Sequence, residues 1–203
     1  MGYYPPPPGY EEPPLPERDP GIHLHDGFFL RMSIGGGWLK NKITGEIAGY
    51  DLELTVSSGT VPIEILIGGS PVPGFVIGGG LWADPLLSPK VESDYFDDAE
   101  LEDTSTQFSR LGLFFDYYPI PQDGLNLQLS VAYAAFSVRD DTTDRLLANA
   151  KGVSVGGGVG YEWWIGNQWS AGVMGRFDYA SLKAHSEQHS LVYPAVVMTF
   201  TYH

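Results

Sequence analysis

The sequence contains no cysteine among its 203 residues. This absence excludes a disulfide framework and any metal site built from thiolates. Basic residues are also scarce, because 11 Lys and Arg stand against 25 Asp and Glu and give a formal net charge of −14. Nucleic acid is bound through Lys and Arg that neutralise its phosphates, so this charge balance argues against a nucleic-acid partner.

Long apolar runs are missing as well. No segment approaches the roughly 18–20 consecutive apolar residues that a membrane-spanning helix needs. The start of the chain also lacks the features of a signal peptide, since Met1 leads directly into GYYPPPPGYEEPP without a basic start or an apolar core. If the protein is exported, we expect this chain to be its mature form.

Proline divides the chain into two regions. Residues 1–26 contain half of the 16 prolines and show no hydrophobic periodicity. Proline has no N–H to donate and restricts φ, so this stretch predicts a disordered, extended arm. The remainder, residues 27–203, changes to a different pattern and forms the second region.

That pattern is an alternation of apolar with small or polar residues. Side chains point to opposite faces along a β-strand, so a period of two predicts strands. Eight such runs occur, and the fold class is therefore predicted to be all-β. The predicted strands cover residues 28–38, 63–67, 75–81, 111–117, 125–133, 153–163, 169–179 and 196–202.

The connections between these strands differ in length from one end to the other. The links at 40–61, 84–107 and 139–151 are long, and a shorter one follows at 184–190. By contrast, the three other links are short and contain the Pro, Gly and Asn of tight turns: 68–74, 119–124 and 165–168. Antiparallel up-and-down strands with long links at one end and short turns at the other are typical of transmembrane β-barrels.

Two architectures accommodate eight alternating strands. A soluble, lipocalin-like barrel turns its apolar face inward, whereas a membrane barrel turns it outward into lipid. Here the polar face consists mostly of Gly, Ser and Ala, which suit a narrow barrel interior better than a hydrated exterior. A few charges interrupt it, and we predict that they pair inside the barrel: Arg31, Glu64, Arg110, Asp116, Glu162, Arg176 and Asp178.

Aromatic residues gather where the predicted strands meet the short turns. Aromatic rings with a polar edge are enriched where a bilayer meets water, and in membrane barrels they form girdles. The predicted girdle consists of Phe75, Phe115, Tyr117, Tyr118, Trp163, Trp164, Trp169, Phe200 and Tyr202.

From GFFLRMSIGGGW to PAVVMTFTYH the chain resembles the small eight-stranded outer-membrane barrels of Gram-negative bacteria, of the OmpA and OmpX kind. It is particularly similar to the Gly-rich barrels of myxobacteria and their relatives. The resemblance covers about residues 27–203 and implies an eight-stranded antiparallel transmembrane β-barrel in the bacterial outer membrane. The last strand in this family usually ends in an aromatic residue, whereas here Phe200 and Tyr202 are followed by His203.

Some small barrels are enzymes, and lipid A deacylases use a His and a Ser two positions apart on one strand. In AHSEQHS the pairs His185–Ser186 and His189–Ser190 are adjacent instead. Neighbouring strand residues point to opposite faces, so neither pair converges as that dyad does. We therefore predict no catalytic residue and a protein that is not an enzyme.

Candidate metal ligands are few. His23 and His25 could offer two imidazoles and Asp26 a carboxylate, but the spacing favours a flexible lead-in to the first strand. The acidic stretch 92–103 lacks the glycine and the spacing of an EF-hand loop and favours a solvated loop, with weak cation binding as its alternative. We predict no metal and no cofactor.

The sequence thus predicts a monomeric, non-enzymatic barrel with a structural or surface-interaction role. Its partners are outer-membrane lipid and lipopolysaccharide, with a periplasmic or surface protein as a further partner. The alternatives are a lipid-modifying enzyme of the outer membrane and a soluble lipocalin-like carrier. An even number of strands places both chain ends beside the short turns, which face the periplasm in this class, so residues 1–26 are predicted to be periplasmic.

Overall fold

The alternating segments form β-strands in the computed structural model. It describes residues 23–47, 50–93, 96–100, 104–140, 142–143, 145–185 and 187–203. These residues contain no helical segment with the length and hydropathy of a membrane span. Their strands are β1 Gly27–Ile47, β2 Tyr50–Thr60, β3 Ile63–Val72, β4 Phe75–Pro85, β5 Lys90–Ser93, β6 Phe96–Glu100, β7 Thr104–Tyr117, β8 Leu125–Asp140, β9 Leu146–Trp164, β10 Trp169–Ala184 and β11 Glu187–Tyr202.

Eight of these strands close into a ring. The order around it is β1, β3, β4, β7, β8, β9, β10 and β11, and each pair is antiparallel. The ring is closed by β1 and β11, whose register runs from Leu30 opposite Tyr202 to Thr44 opposite Gln188. The predicted eight-stranded antiparallel barrel is therefore confirmed.

The two ends of the barrel differ, and we call them the turn end and the hairpin end. At the turn end short connections join β3 to β4, β7 to β8 and β9 to β10. Gly74 has a φ of 80° in the first of these turns, a left-handed conformation that glycine adopts without strain. Both ends of the described chain also lie here, since His25 and His203 are in contact.

At the hairpin end the strands continue where the sequence predicted long links. β1 runs on to Ile47 and pairs with β2 in the same register in which it pairs with β3, so Val61 and Pro62 only interrupt one long strand. The predicted link at 84–107 likewise contains β5 and β6, which extend the sheet.

The two remaining links are also shorter than predicted, mainly because β9 already begins at Leu146 and β11 at Glu187. The physical reason is that backbone pairing does not require an apolar face. Beyond the bilayer both faces of a strand can be polar, and the period of two fades from the sequence while the ladder continues.

The exterior of the ring is apolar. Large side chains on the outward positions of every strand of the ring are strongly exposed; examples are Ile67, Leu81, Leu111, Leu129, Val155, Phe177 and Met198. Monomeric soluble proteins rarely expose a continuous apolar surface of this extent, whereas a lipid bilayer solvates it.

The interior is filled by side chains. An apolar cluster at the hairpin end contains Leu39, Phe108, Phe136, Leu182, Leu191 and Tyr193, and a second cluster nearer the turn end contains Phe29, Leu66, Val76, Trp82, Phe114 and Tyr118. An eight-stranded barrel has an interior just wide enough for its own side chains. The polar residues of the interior lie among these two clusters.

Candidate functional site

The charged side chains of the interior form the first feature of interest. The structure places all seven predicted residues on the inward face of their strands, and none is more than 6% exposed. Charge inside a barrel wall of low polarity is costly unless it is paired and hydrogen-bonded. The contacts of each arginine therefore decide whether the arrangement is stable.

Arg31 is the centre of the group near the turn end. Its Nη1 lies 2.7 Å from an Asp116 carboxylate oxygen, and its Nη2 lies 2.6 Å from Glu162 Oε1. Nη2 also donates to the hydroxyl of Tyr118 at 2.8 Å, and Nε donates to Thr201 Oγ1 at 3.1 Å. The guanidinium of Arg31 on β1 thus contacts residues of three other strands or their ends, β7, β9 and β11.

The second group lies further toward the hairpin end. Arg176 contacts Glu64 and, at 2.8 Å, Asp178. Asp178 also contacts Arg110, so that one carboxylate bridges two guanidinium groups. Arg110 in turn donates to Asp84 at 2.9 Å.

Asp84 is a member of this network that the sequence analysis missed. It is fully buried and accepts a hydrogen bond of 2.9 Å from the hydroxyl of Tyr193, which is itself 2.9 Å from Thr60 Oγ1. The sequence pattern places it in the predicted link at 84–107. It is, however, the next inward position after Gly80 and Trp82, and that alternation was the available signal.

The predicted aromatic girdle divides into two sets. Seven of its nine members lie on outward positions beside the turn end: Phe75, Phe115, Tyr117, Trp163, Trp169, Phe200 and Tyr202. Some of them pack together across strands, such as Trp169 and Phe200 with ring centroids 4.6 Å apart.

Tyr118 and Trp164 do not belong to this girdle. Tyr118 is 1% exposed inside the barrel, and Trp164 stacks on the ring of His23 at 4.7 Å. The reason is the alternation itself, because each follows an outward aromatic neighbour, Tyr117 or Trp163, and must point the other way. Together they cover the turn end of the interior.

A cluster of histidines lies against these two rings, and we call His25, His203, Glu162 and Ser170 the histidine cluster. All four side chains are buried. His25 Nδ1 is 3.1 Å from His203 Nε2, which is 3.5 Å from Glu162 Oε2. Ser170 donates to the same Glu162 oxygen at 2.6 Å and lies 3.3 Å from His203 Nε2.

The segment before β1 is attached to the barrel through His25. Its imidazole stacks on Tyr118 with centroids 3.7 Å apart. Its backbone N–H donates to the Pro121 carbonyl at 3.1 Å, and its carbonyl accepts from Gly74 N–H at 2.9 Å. The flexible lead-in that the sequence favoured is therefore wrong for residues 23–26, while residues 1–22 of the predicted arm lie outside the described residues.

The three predicted candidate ligands of this segment do not act together. His25 belongs to the histidine cluster, but His23 is stacked on Trp164, and the residues whose ligand atoms converge with those of His25 are Glu162 and His203. The partners of His25 are instead Glu162 and His203, which are distant in sequence. No local spacing could have revealed that set, because strand closure creates it.

The His189–Ser190 pair of the last strand does not converge. His189 points inward, where it is 3.1 Å from Asn41 Nδ2, while Ser190 points outward. His185 lies in the tight connection before β11, and Ser186 is outside the described residues. The side chains of the acidic stretch 92–103 are also outside the described part.

Comparisons with known proteins agree with this architecture. No family profile matches the chain, and no curated protein matches it. Among solved structures the chain is similar to Neisserial surface protein A (NspA), with a TM-score of 0.54 and 10% identity over 87% of this chain and 96% of that one. It is also similar to the outer membrane protein OprG from Pseudomonas aeruginosa, with a TM-score of 0.52 and 14% identity over 90% of this chain and 99% of that one.

At these identities the comparisons establish the fold. The apolar exterior, the turn-end aromatics and the filled polar interior are the physical features that such a fold requires in a bilayer. The chain thus has the fold of the small eight-stranded β-barrels of the bacterial outer membrane.

Proposed function

We propose that this protein is a non-conducting, non-enzymatic barrel of the outer membrane with a structural or surface-interaction role. The observation that carries the proposal is the filled interior. Two apolar clusters and two ionic groups occupy the space that a water-filled channel would need. Transport of solutes through the barrel axis is therefore not the function that this interior supports.

The hairpin end supports the surface role. The β1–β2 hairpin and the strands β5 and β6 extend the sheet beyond the apolar ring. Paired strands hold a surface in a defined shape at a lower entropic cost than disordered loops would. With the short turns facing the periplasm, this extension faces the outside of the cell and is available to lipopolysaccharide or to a protein partner.

A lipid-modifying enzyme is the second function that we considered. In the part of the chain that the structure describes, Ser170 lies beside His203, at 3.3 Å, as a nucleophile would lie beside its base. The Ser170 hydroxyl, however, donates to Glu162 at 2.6 Å and is fully buried, so its proton is held by the carboxylate and its oxygen is not open to a lipid. This geometry favours a structural role for Ser170.

A soluble lipocalin-like carrier requires the opposite arrangement of faces. Its ligand would occupy an apolar interior, and its exterior would be hydrated. The outward Leu111 and Leu129 are 64% and 65% exposed, and the inward face carries the arginines. This distribution favours the membrane barrel.

Planar-bilayer conductance tests the central part of the proposal. We expect the purified protein to give no discrete conductance steps, whereas a porin in the same bilayer gives them. Reproducible steps would contradict the filled interior. The enzyme alternative has its own test, because a change in lipid A mass on expression of the protein would contradict the non-enzymatic role.

The surface role is tested by shortening the sheet at its hairpin end. Residues 88–103 are replaced by a two-residue turn, which leaves all eight strands of the ring intact. We expect the variant still to reach the outer membrane and to lose crosslinking to its partners on intact cells. Unchanged crosslinking would contradict a role for this extension.

A further inference from the structure

We propose that the histidine cluster is a binding site for a divalent transition-metal ion of the Zn²⁺ class, with His25, His203 and Glu162 as its protein ligands. This inference goes beyond the proposed function and does not depend on it. The site lies at the turn end of the barrel, where the segment before β1 meets β9 and the residue that follows β11.

The distances between the ligand atoms carry the first part of the argument. Zinc bound at about 2.0–2.1 Å in a tetrahedral geometry holds neighbouring ligand atoms about 3.3 Å apart. His25 Nδ1 and His203 Nε2 are 3.1 Å apart, and His203 Nε2 and Glu162 Oε2 are 3.5 Å apart. The three atoms all lie within 4.8 Å of one another, so a small movement brings them around one ion.

The surrounding hydrogen bonds orient these atoms as a metal site requires. A histidine that binds a metal through one ring nitrogen usually donates its other N–H to a carbonyl or carboxylate. His25 has this arrangement, since its Nε2 is 3.0 Å from the Asp123 carbonyl oxygen and its Nδ1 faces the cluster. This contact assigns the proton to Nε2 and leaves the lone pair of Nδ1 free for a ligand.

The Glu162 carboxylate is also oriented by hydrogen bonds from its neighbours. Glu162 Oε1 accepts from Arg31 at 2.6 Å and from Thr201 at 3.1 Å. Its other oxygen, Oε2, is turned toward His203 and Ser170. One oxygen thus anchors the side chain while the second faces the proposed ion, and a water molecule would take the fourth position.

Charge supplies an independent argument. The ionic group around Arg31 has one guanidinium against two buried carboxylates, Asp116 and Glu162, so it carries a net negative charge when both carboxylates are ionised and the histidines are neutral. A cation held between Glu162 and the two imidazoles offsets this excess.

The ion would fasten the segment before β1 to the closed ring. His25 comes from that segment, Glu162 from β9 and His203 from the residue after β11. The alternative is that a hydrogen bond joins the two imidazoles and that no metal binds. The two cases differ in a direct measurement of bound metal.

The experiment uses the full chain, purified in detergent and stripped of metal with EDTA. Co²⁺ or Zn²⁺ is then added, excess ion is removed, and metal content and the visible spectrum of bound Co²⁺ are measured. We expect one ion per chain and the intense absorption of four-coordinate Co²⁺. We expect H25Q and H203Q each to lower the affinity at least tenfold.

The control is H189Q, which removes another buried histidine at the hairpin end. It should bind metal as the unaltered protein does. Heat-modifiable migration on gels establishes that each variant is folded. The proposal is overturned if the unaltered protein binds no stoichiometric metal, if folded H25Q and H203Q keep its affinity, or if H189Q loses affinity equally.

Discussion

A charged residue in the interior contributes differently to the free energy of unfolding than a charged residue at the surface. Arg176 is buried and contacts two carboxylates, so removing it takes the guanidinium partner from Glu64 and leaves Asp178 with Arg110 alone. Lys42 and Glu53 form an ion pair of 2.7 Å, but both are about half exposed at the hairpin end. Water and salt screen the second pair and not the first.

We therefore predict that R176M lowers the free energy of unfolding by roughly 3–5 kcal/mol. The surface substitution K42M should change it by less than about 1 kcal/mol. Urea titration of the protein folded into lipid vesicles measures both. Equal and small effects would mean that the interior is hydrated and that its charges are screened.

The sequence indicated which charges point inward, because they interrupt the small-residue face of strands with a clear period. It could not indicate their partners. Asp84 was missed because the apolar period ends near it, and the histidine cluster was missed because ring closure, not local sequence, brings His25 to His203. Tyr118 and Trp164 lie beside short turns, as girdle residues do, but the alternation of side chains directs both away from the outward face.

At the scale of strands, close packing of neighbouring backbones limits which glycines can change. A Cβ added to Gly172 of β10 would lie 2.3 Å from the Tyr161 carbonyl oxygen and 2.9 Å from Glu162 Cα. A Cβ added to Gly157 of β9 would meet nothing nearer than 3.7 Å. The same chemical change thus has different consequences on adjacent strands.

We predict that G172A destabilises the barrel by about 1–3 kcal/mol, because the backbone must shift to accept the methyl group. G157A should have an effect near zero. Unfolding in vesicles again measures the difference. A cost for G157A as large as that for G172A would contradict the packing described for these strands.

The outward face of a strand is tested by placing a charge on it. V173R introduces a cation at an outward position of β10 that is 44% exposed. Near the bilayer midplane the expected cost is about 2–4 kcal/mol. T44R, at the hairpin end of β1 and beyond the apolar ring, should have little effect, and a reversal of these two results would contradict the position of the membrane.

The strands are longer than the apolar–polar alternation in the sequence predicts, because this alternation ends where the strands leave the bilayer. The eight strands were predictable where one face meets lipid, since there the outward residues are apolar. Beyond the bilayer, Lys40, Asn41 and Lys42 of β1 no longer alternate between apolar and polar, although their backbone remains paired with β2 and β11. The hairpin extensions were for this reason predicted as loops.

For the whole molecule, the assignment as a membrane barrel depends on which face of the barrel meets lipid. If the apolar face points outward, three features are explained together: the apolar exterior, the filled interior with its paired charges, and the aromatic residues at the turn end. A soluble barrel would need the reverse. The chain has no cysteine, so a single cysteine can be introduced at any position and spin-labelled without further changes.

The most direct measurement is the accessibility of such labels along β10 of the protein in lipid vesicles. The outward positions are Val173, Phe177 and Tyr179, and the inward positions for comparison are Met174 and Ala180. In a membrane barrel we expect outward labels to relax strongly with dioxygen, which concentrates in lipid, and weakly with a water-soluble nickel complex, while inward labels respond weakly to both. Outward labels that respond to the nickel complex more than to dioxygen would contradict the membrane barrel.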